Sequence, residues 1–332
     1  MRITPSLSIS LGRIRNFEKM NRSKALHIRT PLIESIYLGR RLGKQVYLKM
    51  ENLQPTGSFK IRGIGLLCQS GRDKGIRHFV SSSGGNAGYA AAYAGRKLDI
   101  STTVFVPSTT PPEFRQQIEA QGAEVRVTGE VWDETHEAAL RFAQARSALY
   151  VSPFDHPLIW KGHSTIVDEM VEDIGKPDAI VLSVGGGGLL CGVIEGLQRH
   201  ELNTTPIVAV ETEGTASLAA SLKQGKLVSL DKVTGVAKSL AAKTVAKKAF
   251  ERATRHPVQS MVVTDTEAIR ACIEFADEHK CLVEPACGAS LSVAYQRSTI
   301  LEKADLIVII VCGGIGSNLA ILQTWRSSLG SI

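Results

Sequence analysis

Apolar residues in this chain recur in short, near-continuous runs, separated by longer stretches with helical spacing. Eight runs predict strands, at 46–50, 78–82, 102–106, 124–127, 179–184, 207–211, 260–263 and 306–311. Several lack polar alternation, which is the pattern of parallel strands covered on both faces. Nine stretches between them predict helices, at 87–98, 112–121, 133–145, 163–173, 189–200, 215–225, 240–255, 265–279 and 317–329. Some carry start signals. Pro111 and Pro112 place proline at a first turn, and Thr264, Asp265 and Glu267 cap a periodic stretch. Alternating strands and helices predict an α/β fold with one doubly wound sheet or two. No long Gly/Ser or Pro linker, internal repeat or low-complexity segment interrupts the pattern.

Composition adds size and setting. At 332 residues the chain exceeds one typical core, so one large or two smaller domains are expected. Thirty glycines with only 5% aromatics suit a fold of tight strand-to-helix turns. The net charge of +7 is uneven: residues 1–31 hold seven basic side chains and one acid, so they supply nearly all of it. A basic tail of this kind is not the patterned face that nucleic acid requires, so no nucleic-acid partner is expected. Residues 1–20 read as a basic arm, with two origins open. It resembles an organelle transit segment, or Met20 is the true start. The first origin implies mitochondria and the second the cytoplasm. No apolar stretch reaches 18 residues, so no membrane span is predicted. The six cysteines form no C-x-x-C pair, which indicates reduced, intracellular usage. The eight histidines lack zinc-ligand spacing.

Candidate chemistry concentrates in four places. The run Pro55-Thr56-Gly57-Ser58-Phe59-Lys60-Ile61-Arg62-Gly63 sets one lysine between a flexible segment and an aromatic ring. That company suits an amine that must be positioned and kept neutral to hold an aldehyde cofactor. Three glycine-rich turns each follow a strand. Ser81-Ser82-Ser83-Gly84-Gly85-Asn86-Ala87-Gly88 opens a helix, where unsatisfied backbone N–H groups favour an anion such as a carboxylate. Gly185-Gly186-Gly187-Gly188 allows close wrapping of a phosphate. It is neither G-x-G-x-x-G, since Leu190 takes the last position, nor a P-loop, so one phosphate monoester fits better than a dinucleotide or ATP. Val311-Cys312-Gly313-Gly314-Ile315-Gly316-Ser317 ends the most apolar strand, where cofactors bind in open α/β sheets. Together these describe a pyridoxal phosphate site.

Ser58-Phe59-Lys60-Ile61-Arg62-Gly63, the turn at Ser83 to Asn86, the four glycines and Val283-Glu284-Pro285-Ala286 resemble the fold-type II (tryptophan synthase β-like) pyridoxal-phosphate enzymes. Within these the chain most resembles the catabolic L-serine/L-threonine dehydratases, from about Leu26 to the C-terminus. The resemblance implies two doubly wound α/β domains with the cofactor in the cleft between them. The large one would span 21–53 plus 157–332 and the small one 54–156. It implies that Lys60 is the Schiff-base lysine, that Phe59 packs on the cofactor ring and that Asn86 bonds the ring's 3′-oxygen. Gly185, Gly186, Gly187, Gly188 and Leu189 would cradle the phosphate, and Cys312 would face the pyridine nitrogen. Ser83, Gly84, Asn86 and Ala87 would hold the substrate carboxylate. A monovalent cation such as K+ would map to Glu211, Thr215, Leu240 and Ala242.

The implied reaction is β-elimination, by a lyase, of L-serine to pyruvate and ammonia and of L-threonine to 2-oxobutyrate and ammonia. Lys60 would be both anchor and base. A cytoplasmic homodimer serving amino-acid catabolism and gluconeogenesis is expected, without an appended sensor domain. A serine racemase, another enzyme of the same cofactor class, and a weakly active cofactor-binding relative are the alternatives. Against the racemase, Asn86 is followed by Ala87 rather than His, and Cys312 stands where Ser would. Three departures bear on rate: Gly84 replaces the Ala or Ser of relatives, Ser239 replaces a small apolar residue, and Ile315-Gly316 interrupts the usual Ser-Asn after Gly314.

Overall fold

The computed structural model describes residues 24–328, so the basic arm lies outside the described residues. Ten strands within that span form two sheets. The strands are β1 (Leu32–Glu34), β2 (Gln45–Lys49), β3 (His78–Ser81), β4 (Ser101–Val106), β5 (Glu124–Val127), β6 (Leu149–Tyr150), β7 (Ala179–Ser183), β8 (Ile207–Thr212), β9 (Val258–Val263) and β10 (Leu306–Ile310). The larger sheet has the order β1-β2-β10-β7-β8-β9, and the smaller β5-β4-β3-β6. Only β1 runs antiparallel to its neighbour. The parallel strands explain the unalternated apolar runs: every residue of β7 is buried because helices cover both faces.

Helices surround both sheets. Lys60–Asp73 and Asn86–Leu98 bury Ile61, Ile64, Ala87 and Ala91 with Phe79 of β3. Trp132–Ala145 buries Ala139 and Ala143 with Val80 and Phe105 on the opposite face. Pro157–Ile174 and Gly188–Arg199 pack together in the core of the larger sheet.

Three differences from the sequence pattern have physical causes. Pro285–Tyr295 is a helix that the pattern missed; all of its residues are buried, so it has no polar face to give a helical period. The stretch 240–255 is not one helix: a 3-10 turn (Lys238–Leu240) and a short helix (Lys247–Ala253) flank a segment whose Ala246 N–H bonds the carbonyl of Gly186. The helix expected from residue 163 begins at Pro157, where His156 caps its first turn. Two short strands, β1 and β6, and the helices Ile36–Leu42 and Lys60–Asp73 were also missed.

One buried ionic cluster ties the helix of Lys60 to the larger sheet. Arg62 is fully buried. Its guanidinium donates to both carboxylate oxygens of Glu51, each at 2.7 Å. It also donates to both oxygens of Glu169, each at 2.7 Å. Glu51 follows β2, and Glu169 lies on Pro157–Ile174. Lys49, at the end of β2, donates to Glu169 at 2.6 Å and to the Thr30 carbonyl at 2.8 Å. Two cations thus meet two anions in a fixed fork geometry. Replacing Arg62 by Met leaves two buried carboxylates with one lysine between them. The expected result in chemical denaturation is a loss of about 3–5 kcal/mol of folding stability.

Candidate active site

Lys60 begins its helix, with Phe59 at the N-cap position. The preceding loop lies flat against the turn that follows β10. Ser58 forms an isolated bridge to Gly313, Phe59 N–H donates to the Cys312 carbonyl at 3.2 Å, and Gly314 N–H donates to the Gly57 carbonyl at 2.9 Å. Only glycine allows this. Gly313 has φ +100°, and a side-chain carbon there would lie 2.2 Å from the Gly57 oxygen. The Lys60 side chain is half-buried by area, while its amine is deeply enclosed and donates to the Pro153 carbonyl at 2.7 Å. Burial lowers its pKa from 10.5 to about 8, against the opposing pull of Cys312 and Glu284.

The four-glycine turn lies between the end of β7 and the start of Gly188–Arg199. A side-chain carbon at Gly186 would fall 2.3 Å from the Phe154 ring, and Gly187 has φ +84°. The helix start leaves backbone N–H groups for an anion. Leu189 is buried in the first helical turn.

The turn after β3 carries Ser83, Gly84, Asn86 and Ala87. Asn86 begins Asn86–Leu98, and both ends of its amide reach residues attached to the larger sheet. Its Nδ2 donates to Glu284 Oε1 at 2.8 Å, and its Oδ1 accepts from Ile315 N–H at 3.0 Å. One amide hydrogen remains for a ligand oxygen. Ala87 is buried, whereas Ser83 and Gly84 are half-buried. The space beside Gly84 is not empty. Cγ2 and Oγ1 of Thr110 both lie 2.7 Å from where a side-chain carbon would stand.

Glu284 had no role assigned from sequence, although it stands in the Val283-Glu284-Pro285-Ala286 motif. It is buried and accepts from Asn86, from Ser239 Oγ at 2.5 Å and from the Gly316 N–H. Burial raises its pKa, while these donors and Lys60 act against the rise. Gly314 must be bare because a side-chain carbon there would lie 2.2 Å from the Glu284 carboxyl carbon. Ser239, flagged as a departure, therefore serves as a donor to this carboxyl. Cys312 is buried and hydrogen-bonded to Cys287, and this bond and burial raise its pKa well above the ordinary thiol value. It is a neutral thiol.

The four residues assigned to a cation lie beside the glycine turn and β8. Leu240 abuts Gly185, with its Cα 2.8 Å from that residue's side-chain position. Glu211 is fully buried on β8, and its oxygens accept from the N–H groups of Leu218 and Ala219 at 2.8 and 2.7 Å. No lysine or arginine pairs with it among the described residues. The Thr215 hydroxyl lies 2.9 Å from that of Thr212. The Leu240 carbonyl accepts from the Ala242 N–H at 2.7 Å, so one of its lone pairs is already engaged.

The family described as pyridoxal-phosphate dependent enzyme matches residues 24–313. The human L-serine dehydratase/L-threonine deaminase is 47% identical over 323 residues, covering 94% of this chain and 98% of that protein. The structure of a fungal L-serine ammonia-lyase from Rhizomucor miehei superposes with a TM-score of 0.88 at 38% identity, covering 92% of this chain and 100% of the other. A serine racemase from Dictyostelium discoideum superposes at 0.81 with 27% identity, covering 93% and 99%.

The buried carboxyl of Glu211 makes a testable contribution to stability. Burial raises its pKa from 4.5 to about 7, although the two backbone donors act against the rise. Between those values the folded chain binds more protons than the unfolded one, so stability falls as pH rises through that window. The pH dependence of denaturant unfolding, without monovalent metal ions, is expected to show this fall. Glu211→Gln is expected to remove it.

Proposed function

The chain belongs to the pyridoxal-phosphate dependent enzymes, and we propose that it eliminates water and ammonia from L-serine and L-threonine, giving pyruvate and 2-oxobutyrate. The observation that carries this reading is the Lys60 amine. It is enclosed in the cleft and its pKa is lowered to about 8, beside a neutral thiol and a buried carboxyl. The names of the similar lyases support the substrate class.

The residues fit the cofactor. Leu240, Phe154, Val245 and Ala249 pack so closely on glycines 185 to 188 that the turn must be bare, and its backbone N–H groups at a helix start suit a phosphate. Lys60, Phe59, Asn86, Gly185, Gly186, Gly187, Gly188, Leu189 and Cys312 would hold it, and when bound it supplies an electron sink for charge developing at the substrate α-carbon. The free Lys60 amine would take the α-proton, because burial keeps a large share of it neutral near pH 8. Glu284 and the Ile315 N–H fix both ends of the Asn86 amide, so its remaining hydrogen has one direction. The neutral Cys312 thiol cannot hold a ring nitrogen protonated as a carboxylate would, which favours prompt elimination over long-lived charge that could racemise. The backbone of Ser83 to Ala87, at a helix start, suits the substrate carboxylate.

The racemase alternative is supported less well. The Dictyostelium racemase is 27% identical and the fungal lyase 38%. Ala87 follows Asn86, and Cys312 rather than Ser stands at the strand end.

The same reading extends to K+ at Glu211, Thr215, Leu240 and Ala242, supported by the buried carboxylate that lacks a basic partner among the described residues. Added K+ is expected to cancel the loss of stability above pH 5, and a pH profile indifferent to K+ would contradict it. It also extends to a homodimer acting in the cytoplasm in amino-acid catabolism and gluconeogenesis. Large exposed apolar side chains, Ile33, Ile36 and Tyr37, support self-association, and free cysteines support a reducing compartment. Sedimentation and the location of the tagged full chain test these two points.

The decisive assay is pyruvate formation from L-serine by the purified protein loaded with pyridoxal phosphate. Activity together with a visible absorbance band is expected, and Lys60→Ala should lose both. An active Lys60→Ala variant would overturn the mechanism, and a wild-type protein that binds the cofactor without releasing pyruvate would overturn the substrate assignment.

A further inference from the structure

Behind the turn of Ser83 and Asn86 lies a hydrogen-bonded chain that the mechanism does not use. Ser82 is buried, and its hydroxyl lies 2.6 Å from the phenol oxygen of Tyr150. That oxygen lies 2.8 Å from Nδ1 of His136. Ser82 and His136 are themselves 3.5 Å apart, at the limit of a hydrogen bond, so Tyr150 is the middle link. The three groups come from different elements: the turn after β3, the strand β6, and the helix Trp132–Ala145.

The far end of the chain is anchored twice. The His136 ring stacks on Trp132 with centroids 4.7 Å apart and planes 8° from parallel. Asp133, in the same helical turn, accepts from Lys243 at 2.9 Å. Lys243 belongs to the segment after Ser239, which itself bonds Glu284 on the other side of the cleft. Burial pushes the Tyr150 phenol up to about 12, so it keeps its single proton through the physiological range. A phenol with one proton donates to one neighbour and accepts from the other, so removing its oxygen breaks both links at once.

We propose that Tyr150, backed by His136, is a positioning residue for the substrate turn: it holds Ser82, and through Ser82 it sets how the adjoining turn receives the amino-acid carboxylate. This rests on the reading that the turn after β3 binds that carboxylate. The hydrogen bonds of the three groups link them to one another and not to Lys60 or the four-glycine turn, so their loss is expected to act on substrate binding more than on cofactor retention.

The test is steady-state kinetics of the loaded enzyme with L-serine and with L-serinamide, which keeps the amine and lacks the carboxylate charge. Tyr150→Phe is expected to raise KM for L-serine about tenfold, because it removes the hydrogen bond that holds Ser82. Its kcat and its visible absorbance band should stay close to wild type. Its preference for serine over serinamide should shrink. His136→Leu should reproduce the effect, and His136→Asn, which keeps a polar atom near the Nδ1 position, should restore most of it. The Tyr150→Phe/His136→Leu double variant should be no worse than Tyr150→Phe alone, because both cut the same chain. An unchanged KM in Tyr150→Phe, or additive losses in the double variant, would overturn the proposal while leaving the carboxylate reading intact if the wild type still prefers serine. A wild-type enzyme indifferent to the carboxylate would overturn both.

Discussion

The arrangement depends on a buried arginine two residues beyond the reactive lysine. Arg62 has no accessible surface, and its guanidinium grips Glu51 and Glu169 at once. Burying charges is costly unless they are paired with good geometry, and here two acids meet Arg62 and Lys49. The consequence is positional. The helix that begins at Lys60 packs its apolar face on the smaller sheet, yet its first turn is pinned to elements of the larger one. Lys60 is thereby denied the freedom that a surface lysine has, and its amine stays where burial lowers its affinity for a proton.

The glycine turns complete that constraint from the other side. The turn after β10 must be bare in two places, because Gly313 lies against the lysine loop and Gly314 against the Glu284 carboxyl. Glu284 in turn orients Asn86 across the cleft. Lysine, carboxyl and amide are therefore set by contacts between the two sheets rather than by either sheet alone. A change in how the sheets sit would move all three together.

Much of this was legible in the sequence. The unalternated runs identified the parallel strands, and the three glycine-rich turns do follow β3, β7 and β10. Three things that were not legible bear on the site. The helix Pro285–Tyr295 is buried on every side and so carries no periodic signal. Glu284 looked like a motif residue without a task, because its partners Asn86, Ser239 and Gly316 lie far away along the chain. Gly84 looked like a gap, but Thr110, 26 positions later, occupies the space. In each case the missing information was a long-range contact, which local pattern does not encode.

Lys60 is the residue on which cofactor attachment is proposed to depend. Borohydride reduction of the loaded protein, followed by proteolysis and mass spectrometry, tests this directly. The expected result is one phosphopyridoxyl group per chain, on the peptide that contains Lys60. A group on any other lysine, or no adduct in a protein that still forms pyruvate, would contradict it.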